Sequence, residues 1–434
     1  MSRRPSRGAR PAAAPRNLEL EITGLGLQGD GLAAHDGVPV FVPYTVPGDR
    51  VLARVDGRRG DGWLATPLTV LTPGAARVAA PCPLFGRCGG CALQHLDDAA
   101  YGAWKRDLLV SQLARAGLDG AAIGEIRRVA AGSRRRAAFA FHHRRGQVLL
   151  GFNARASHEV VDVSACLLLA PPLSAVLPAL RQVLAAVTED GCDGDAVLTL
   201  TDTGLDLLVD APARLDLFDR QRLAAFAESA DLARLSWRRP GGGMAEPVAR
   251  RRSPLVSFAG VAVDLPPGAF LQPSREGEAL LTGLVVEAVA DRQPVADLYC
   301  GVGTFALALA GKAPVHAVEG DGEAVAALRR AATGLKLTVE LRDLSADPLP
   351  AGELRRFQAV VVDPPRVGCK AQAEILAATG PPRLVMVSCN PASLARDLAI
   401  LTGGGYRLLS VTPVDQFPWT AHLEAVAVLD RPLP

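Results

Sequence analysis

From residue 266 onward, short apolar runs alternate with stretches of helical period. Residues 294–298, 315–318, 337–341, 359–362, 384–388, 408–412 and 423–429 read as strands. Residues 305–310, 323–332 and 391–401 read as helices between them. Strands that are apolar throughout, rather than at every second position, suit a sheet covered on both faces. The pattern predicts an α/β fold with an open, doubly wound sheet. In such sheets ligands bind beyond the carboxyl ends of the strands, so the chemistry is sought there.

The first part of the chain has a different rhythm. Leu18, Leu20 and Ile22 alternate with polar residues, and Gly24, Gly26, Gly29, Gly31 and Gly37 mark turns. With 38–42, 51–55 and 64–71, this predicts a small all-β unit over 17–75. About five short strands in so short a span fit an oligonucleotide-binding barrel, and equally an inert β-domain. Residues 76–95 form a cysteine-rich loop, and 98–118 a helix with Trp104, Leu108, Leu109 and Leu113 on one face. Residues 127–262 mix hairpin patterns with a helix near 172–187. The expected division is a tail over 1–16, the β-unit over 17–75, a central α+β domain over 76–265, and the α/β domain over 266–434.

Composition adds limits. The chain has 434 residues, 49% of them hydrophobic, enough for two or three cores. No apolar run approaches the roughly 20 residues of a membrane span. The first seventeen residues carry five arginines and no apolar stretch, which reads as a disordered basic tail on a soluble, cytoplasmic protein. Net charge is only +2, but arginines cluster at Arg134, Arg135 and Arg136, at Arg144 and Arg145, and at Arg250, Arg251 and Arg252. Such clusters can fork onto phosphates, or can simply be solvated surface. Eight cysteines without a signal peptide argue against a disulfide scaffold.

The strand ends hold the candidate chemistry. The first runs Asp297-Leu298-Tyr299-Cys300-Gly301-Val302-Gly303-Thr304, where two glycines let the backbone approach a ligand closely. Glu319 ends the second strand, where a carboxylate can accept both hydroxyls of a ribose. Asp343 follows the third and can face an adenine amino group. This order favours an adenosine-bearing ligand without phosphate contacts, which suits S-adenosylmethionine better than NAD. Asp363 ends the fourth strand, fixed by Pro364 and Pro365. Cys389 ends the fifth, before Asn390 as helix cap and Pro391 as first helical residue. A helix N-terminus lowers a cysteine pKa, so Cys389 is a candidate thiolate nucleophile. Glu424 interrupts an apolar strand and is a candidate general base.

Together these residues resemble the bacterial RNA uridine-C5 methyltransferases. The matching stretches are DLYCGVGTF, VVVDPPRVG, VSCNPASLARDL and DQFPWTAHLEAV. The segment GLGLQGDGLAAHDGVPVFVPYTVPGD resembles that family's TRAM domain, an RNA-binding barrel. The resemblance implies a class I methyltransferase sheet, Cys389 as nucleophile and Glu424 as base. It implies donor contacts from Gln272, in a Phe-x-Gln element, and from Tyr299, Thr304, Glu319, Asp343 and Asp363. Its nearest branch makes 5-methyluridine in 23S ribosomal RNA. The expected partner is therefore RNA, bound by a monomer away from any membrane. Transfer RNA is the alternative substrate, and a non-catalytic RNA-binding or ribosome-assembly protein the alternative class.

Cys82, Cys88 and Cys91, with Cys166 downstream, resemble the family's four-iron, four-sulfur ligands. Their spacing alone also permits zinc. Cys192, Cys300 and Cys369 read as ordinary thiols.

Overall fold

The computed structural model describes residues 17–241 and 243–431, so the expected basic tail lies outside the described residues. Two compact units result, Met1–Gly86 with Ala92–Tyr101, and Arg87–Cys91 with Gly102–Pro434.

In the larger unit, the apolar strands of the C-terminal half alternate their side chains between two cores. Val295, Val361, Val385 and Val426 enter one, and Leu298, Val360, Met386 and Ala427 enter the other. Period-2 alternation with both faces buried is why these strands carry no polar stripe. The sheet has eight strands, ordered Leu337–Leu341, Val315–Glu319, Val295–Leu298, Ala359–Val362, Arg383–Ser388, Glu424–Asp430, Arg407–Asp415 and Arg127–Arg128. The first five run parallel, and Glu424–Asp430 is antiparallel to both its neighbours. Chain order reverses at Val295–Leu298, which leaves a crevice at its carboxyl end.

Besides the single turn Ala351–Leu354, three helices were not legible in the hydrophobic pattern. Arg275–Val289 starts at Ser274, whose side chain accepts from Gly277 N–H. Leu217–Ser229 starts in a capping box between Asp216 and Asp219. The third, Lys370–Thr379, buries only Gln372, Ala373 and Leu376. The expected helix near 172–187 is split at Val176 into Pro171–Ala175 and Leu177–Val187. Both pieces cover a seven-stranded sheet that runs from Val160–Asp162 at one edge to Glu246–Arg250 at the other.

Asp98–Arg115 is the expected helix near 98–118, and most of its expected face is buried. Leu109 and Leu113 join a core of the eight-stranded sheet and Leu108 is also buried, whereas Trp104 is only half-buried. Lys105 takes its place in the interior, with no exposed surface.

The smaller unit is a six-stranded sheet, antiparallel except where Val38–Val42 runs parallel to Gly62–Thr72. It extends past residue 75 because buried Asp49 needs a cation. Arg77 supplies one at 2.5 Å, and Phe85 closes edge-on against Tyr44. Among the described residues no helix is long and apolar enough to cross a membrane.

Candidate active site

A cavity of about 750 Å³ opens where the sheet order reverses. Gln272, Tyr299, Glu319, Asp343, Asp363, Cys389 and Glu424 all line it. They come from segments spread over more than 150 positions of the chain, converging because parallel strands end on the same edge. Thr304 does not line the cavity. The loop turns at Gly301 and Gly303, with φ 55° and 100°, so Thr304 becomes the first residue of the helix Thr304–Ala310 instead. A side chain at Gly303 would come within 2.4 Å of Leu328, so only glycine allows this turn.

Glu319 is held by backbone. One carboxylate oxygen accepts from Gly320 (2.7 Å) and Asp321 (2.9 Å), and the other from Gly301 (2.9 Å). A carboxylate has about four acceptor positions, so one remains for a ligand hydroxyl. Asp343 accepts from Ser345 N–H at 2.9 Å and is otherwise exposed at the cavity. Tyr299 stands at φ 62°, a conformation that costs a non-glycine residue energy and is concentrated at functional sites.

Cys389 lies two residues before the helix Pro391–Gly403, whose cap Asn390 accepts from Ala392 N–H at 3.1 Å. Its loop is stitched to the Asp363 loop: Asn390 Nδ2 and Ser393 Oγ both donate to the Arg366 carbonyl, at 2.9 and 3.1 Å. Glu424 is buried. Gln416 Nε2 donates to its carboxylate at 3.2 Å and to Gln272 Oε1 at 2.7 Å. Gln416 was not singled out by the sequence. Neither was Asp297, a fully buried acid within the apolar first strand. That interruption was the available signal.

The electrostatics correct one expectation. The thiol of Cys389 is not held low by the helix; burial, with the Glu424 and Asp363 carboxylates, pushes it up to about 11. Arg366 opposes this without prevailing. Burial and Asp363 likewise push Glu424 up to about 8, and burial raises Asp363. Asp297 is driven up by burial and by its neighbours Asp363 and Glu319. Like charges in a desolvated space cannot all ionise, so this cluster retains protons at neutral pH. A nucleophilic Cys389 and a basic Glu424 both need the deprotonated form. Hence kcat/KM is expected to rise with pH through about 8, the value for Glu424. Initial rates between about pH 6 and 10 check this; a flat or falling profile contradicts it.

The arginine clusters are used internally more than expected. Arg135 is buried, paired with Glu278, and its Nε donates to the Gln272 carbonyl at 3.0 Å. Arg136 donates to the carbonyls of Ala269 (3.2 Å) and Gly268 (3.1 Å). Both therefore hold the loop that carries Gln272. Arg144 pairs with Asp193 at 2.7 Å, Arg250 with Asp264 at 2.5 Å, and Arg251 and Arg252 share Asp231. Arg134 and exposed Arg366 line the cavity.

The cysteine expectation gains no support from the structure. Cys82, Cys88, Cys91 and Cys166 are half-buried thiols outside any disulfide. Cys82 belongs to the smaller unit and the other three to the larger. Among the described residues, no three His, Cys, Asp or Glu side chains form a group able to hold a metal ion. The structure therefore gives the implied cluster no support. Local backbone contacts are what the structure shows instead: Gly90 N–H donates to Cys88 Sγ at 3.4 Å, and Cys82 N–H to Gln94 Oε1 at 3.1 Å.

The sheet order, with a cavity at its reversal point, fits a methyltransferase fold. Comparison with known proteins makes this specific. The family model for tRNA (uracil-5-)-methyltransferases matches residues 261–432. An uncharacterised RNA methyltransferase of Brucella suis is 42% identical over 417 residues, 95% of this chain and 98% of the relative. The 23S rRNA (uracil(1939)-C(5))-methyltransferase RlmD of Alkalilimnicola ehrlichii is 34% identical over 445 residues, 98% of this chain and 99% of the relative. A solved structure of Pyrococcus abyssi tRNA (uracil-54, C5)-methyltransferase with S-adenosyl-L-homocysteine shares the fold. Its TM-score is 0.74 at 23% identity, covering 95% of this chain and 99% of that one. The chain belongs to the RNA uracil-C5 methyltransferase family, whose members depend on S-adenosylmethionine.

Proposed function

We propose that the chain methylates carbon 5 of a uridine in 23S ribosomal RNA through a transient bond between Cys389 and carbon 6. The observation that carries this reading is that a thiol and a buried carboxylate face the same cavity as the Glu319 and Asp343 carboxylates. Gln272, Tyr299, Glu319, Asp343 and Asp363 would hold the donor. Bound S-adenosylmethionine supplies a methyl group on a sulfonium.

Carbon 5 of uridine is a weak nucleophile. The Cys389 sulfur, once deprotonated, bonds to carbon 6, and the ring's double-bond pair moves onto the carbonyl at carbon 4 as an enolate. That pair returns through carbon 5 to form the new carbon–methyl bond, as the donor's methyl–sulfur bond breaks and its pair stays on sulfur as a neutral thioether. Carbon 5 then carries an extra proton, which Glu424 accepts. The carbon–hydrogen pair rebuilds the ring double bond as the carbon–sulfur bond breaks, and Cys389 leaves as thiolate. Gln416 holds the Glu424 carboxylate by one oxygen, leaving the other for the proton.

The uridine must leave its stack to enter. Phe270 lines the cavity and is 66% exposed, a surface on which a base can stack. In the smaller unit, which resembles a TRAM domain, Arg58 stands over Trp63 at 4.5 Å and Arg59 over Phe41 at 5.0 Å. Paired cations and aromatic faces of this kind suit single-stranded RNA. No step passes through the four cysteines.

The ribosomal target rests on the 34% identical relative over nearly the whole chain. The description of the matching family model favours transfer RNA as a second reading. Transfer of labelled methyl to separated, unmodified ribosomal and transfer RNAs decides between them. Label confined to the large-subunit RNA is expected; label in transfer RNA alone overturns the choice, and label in neither overturns the activity.

A further inference from the structure

We propose that Lys105 is a positioning residue for proton removal, gripping both ends of the loop that carries Gln416 and His422 and leads into Glu424. This rests on the role proposed for Glu424.

Lys105 is one of only four lysines and lies on Asp98–Arg115, outside the segment that the family model matches. It has no exposed surface. Its Nζ stands 2.8 Å from Asp415 Oδ1, and Asp415 is itself buried. An ammonium has three donors. The others reach the His422 carbonyl and, at 3.5 Å, the Phe417 carbonyl. One cation therefore ties together residue 415, residue 417 and residue 422, the two ends of a short loop.

What the loop carries makes the grip consequential. Phe417, His422 and Glu424 line the cavity, and Gln416 bridges Gln272 to Glu424. At its tip Trp419 sits at φ 58°, strained for a residue with a side chain, so the loop has reason to relax if released. Besides the Gln416 bridge and a bond from Val129 N–H to the Asp415 carbonyl at 3.0 Å, it has short-range or exposed ties. Phe417 N–H donates to Asp415 at 3.2 Å, Thr420 Oγ1 to the Phe417 carbonyl at 2.9 Å, and Arg366 meets His422 Nδ1 at 3.2 Å. Cys389 and Glu319 stand on other strand ends and do not depend on this loop. Loosening it should disturb proton removal more than attack, and should reach donor binding only through Gln272.

A buried pair also contributes to folding, and removing Lys105 alone leaves a buried carboxylate unpaired. Two variants separate the roles, Lys105→Met and the double variant Lys105→Met with Asp415→Asn. Both are expected to lose roughly 10²-fold in kcat, while the Kd for S-adenosylhomocysteine stays within about twofold. Both should also accumulate a protein–RNA adduct that survives denaturing electrophoresis. The double variant should melt near the wild-type temperature. Wild-type turnover in the double variant overturns the proposal, because charge pairing would then be the whole function of Lys105. Failure of the double variant to fold, or equal loss of donor binding and kcat, overturns it too. Glu424→Gln is run beside them. If it stalls as adduct and the Lys105 variants do not, the positioning role fails alone. If it does not stall either, the role given to Glu424 fails, and turnover of the double variant still judges Lys105.

Discussion

Cys389→Ala is expected to lower methyl transfer by about 10⁴-fold or more, with donor affinity changed by no more than about twofold. The first half follows from the substrate. Without a nucleophile on carbon 6, no electron pair reaches carbon 5, and positioning alone cannot replace a bond. The second half follows from the architecture. Glu319 is fixed by N–H groups of Gly301, Gly320 and Asp321, none of which touches the Cys389 loop. The loop's own shape is set by Asn390 and Ser393 donating to the Arg366 carbonyl, which alanine at 389 leaves intact. Single-turnover transfer of labelled methyl, with calorimetric titration of S-adenosylhomocysteine, measures both quantities. Retained transfer would return Cys389 to the status of a half-buried structural thiol. The thiol is pushed up to about 11 in the free protein, so the proposed attack requires its deprotonation when RNA is bound. The RNA-free variant and wild type, which share the other seven cysteines, should therefore react alike with thiol reagents at neutral pH.

The parts of this enzyme that sequence conveys are those set by local pattern. Apolar strands with acids or glycines at their carboxyl ends announced both the sheet and the edge on which to look. Asn390 and Pro391 marked a helix start because capping is a matter of adjacent residues. What was not legible depends on partners distant in the chain. Lys105 carries no local signal of burial; its reason for burial lies 310 positions away at Asp415. Arg135 and Arg136 could equally have been phosphate ligands or solvated surface, yet both donate to carbonyls at the Gln272 loop. An arginine's sequence neighbourhood does not say whether its fork meets carboxylates, carbonyls or RNA. The Cys389 thiol misled for a related reason. The helix terminus was visible in the sequence, but the crowd of Asp363 and Glu424 carboxylates around it was not.

Glu424→Gln is expected to stop the reaction after methyl transfer, lowering turnover by about 10²- to 10⁴-fold, the range a positioned base contributes. Glutamine keeps the shape and can still meet Gln416, but it cannot take the proton from carbon 5. The methylated ring then stays bonded to Cys389, and one methyl group per chain should appear in an RNA–protein band stable to denaturation. Free methylated RNA at the wild-type rate would show that another group, or water, removes the proton. Stability offers a second, independent reading. The Glu424 carboxyl is raised from its ordinary 4.5 to about 8, so the folded state favours its protonated form. That contribution is complete below about 4.5 and is lost as pH rises through about 8. Glutamine never ionises and escapes the loss. The variant's melting temperature should accordingly draw ahead of wild type as pH climbs from about 5 to 9, even as its turnover collapses. An enzyme that is destabilised by ionising a buried acid, and is inactive without it, keeps that acid for chemistry. Equal melting temperatures across that range would mean that Glu424 is not held protonated by burial, and the alkaline rise in kcat/KM would then belong to Cys389 alone.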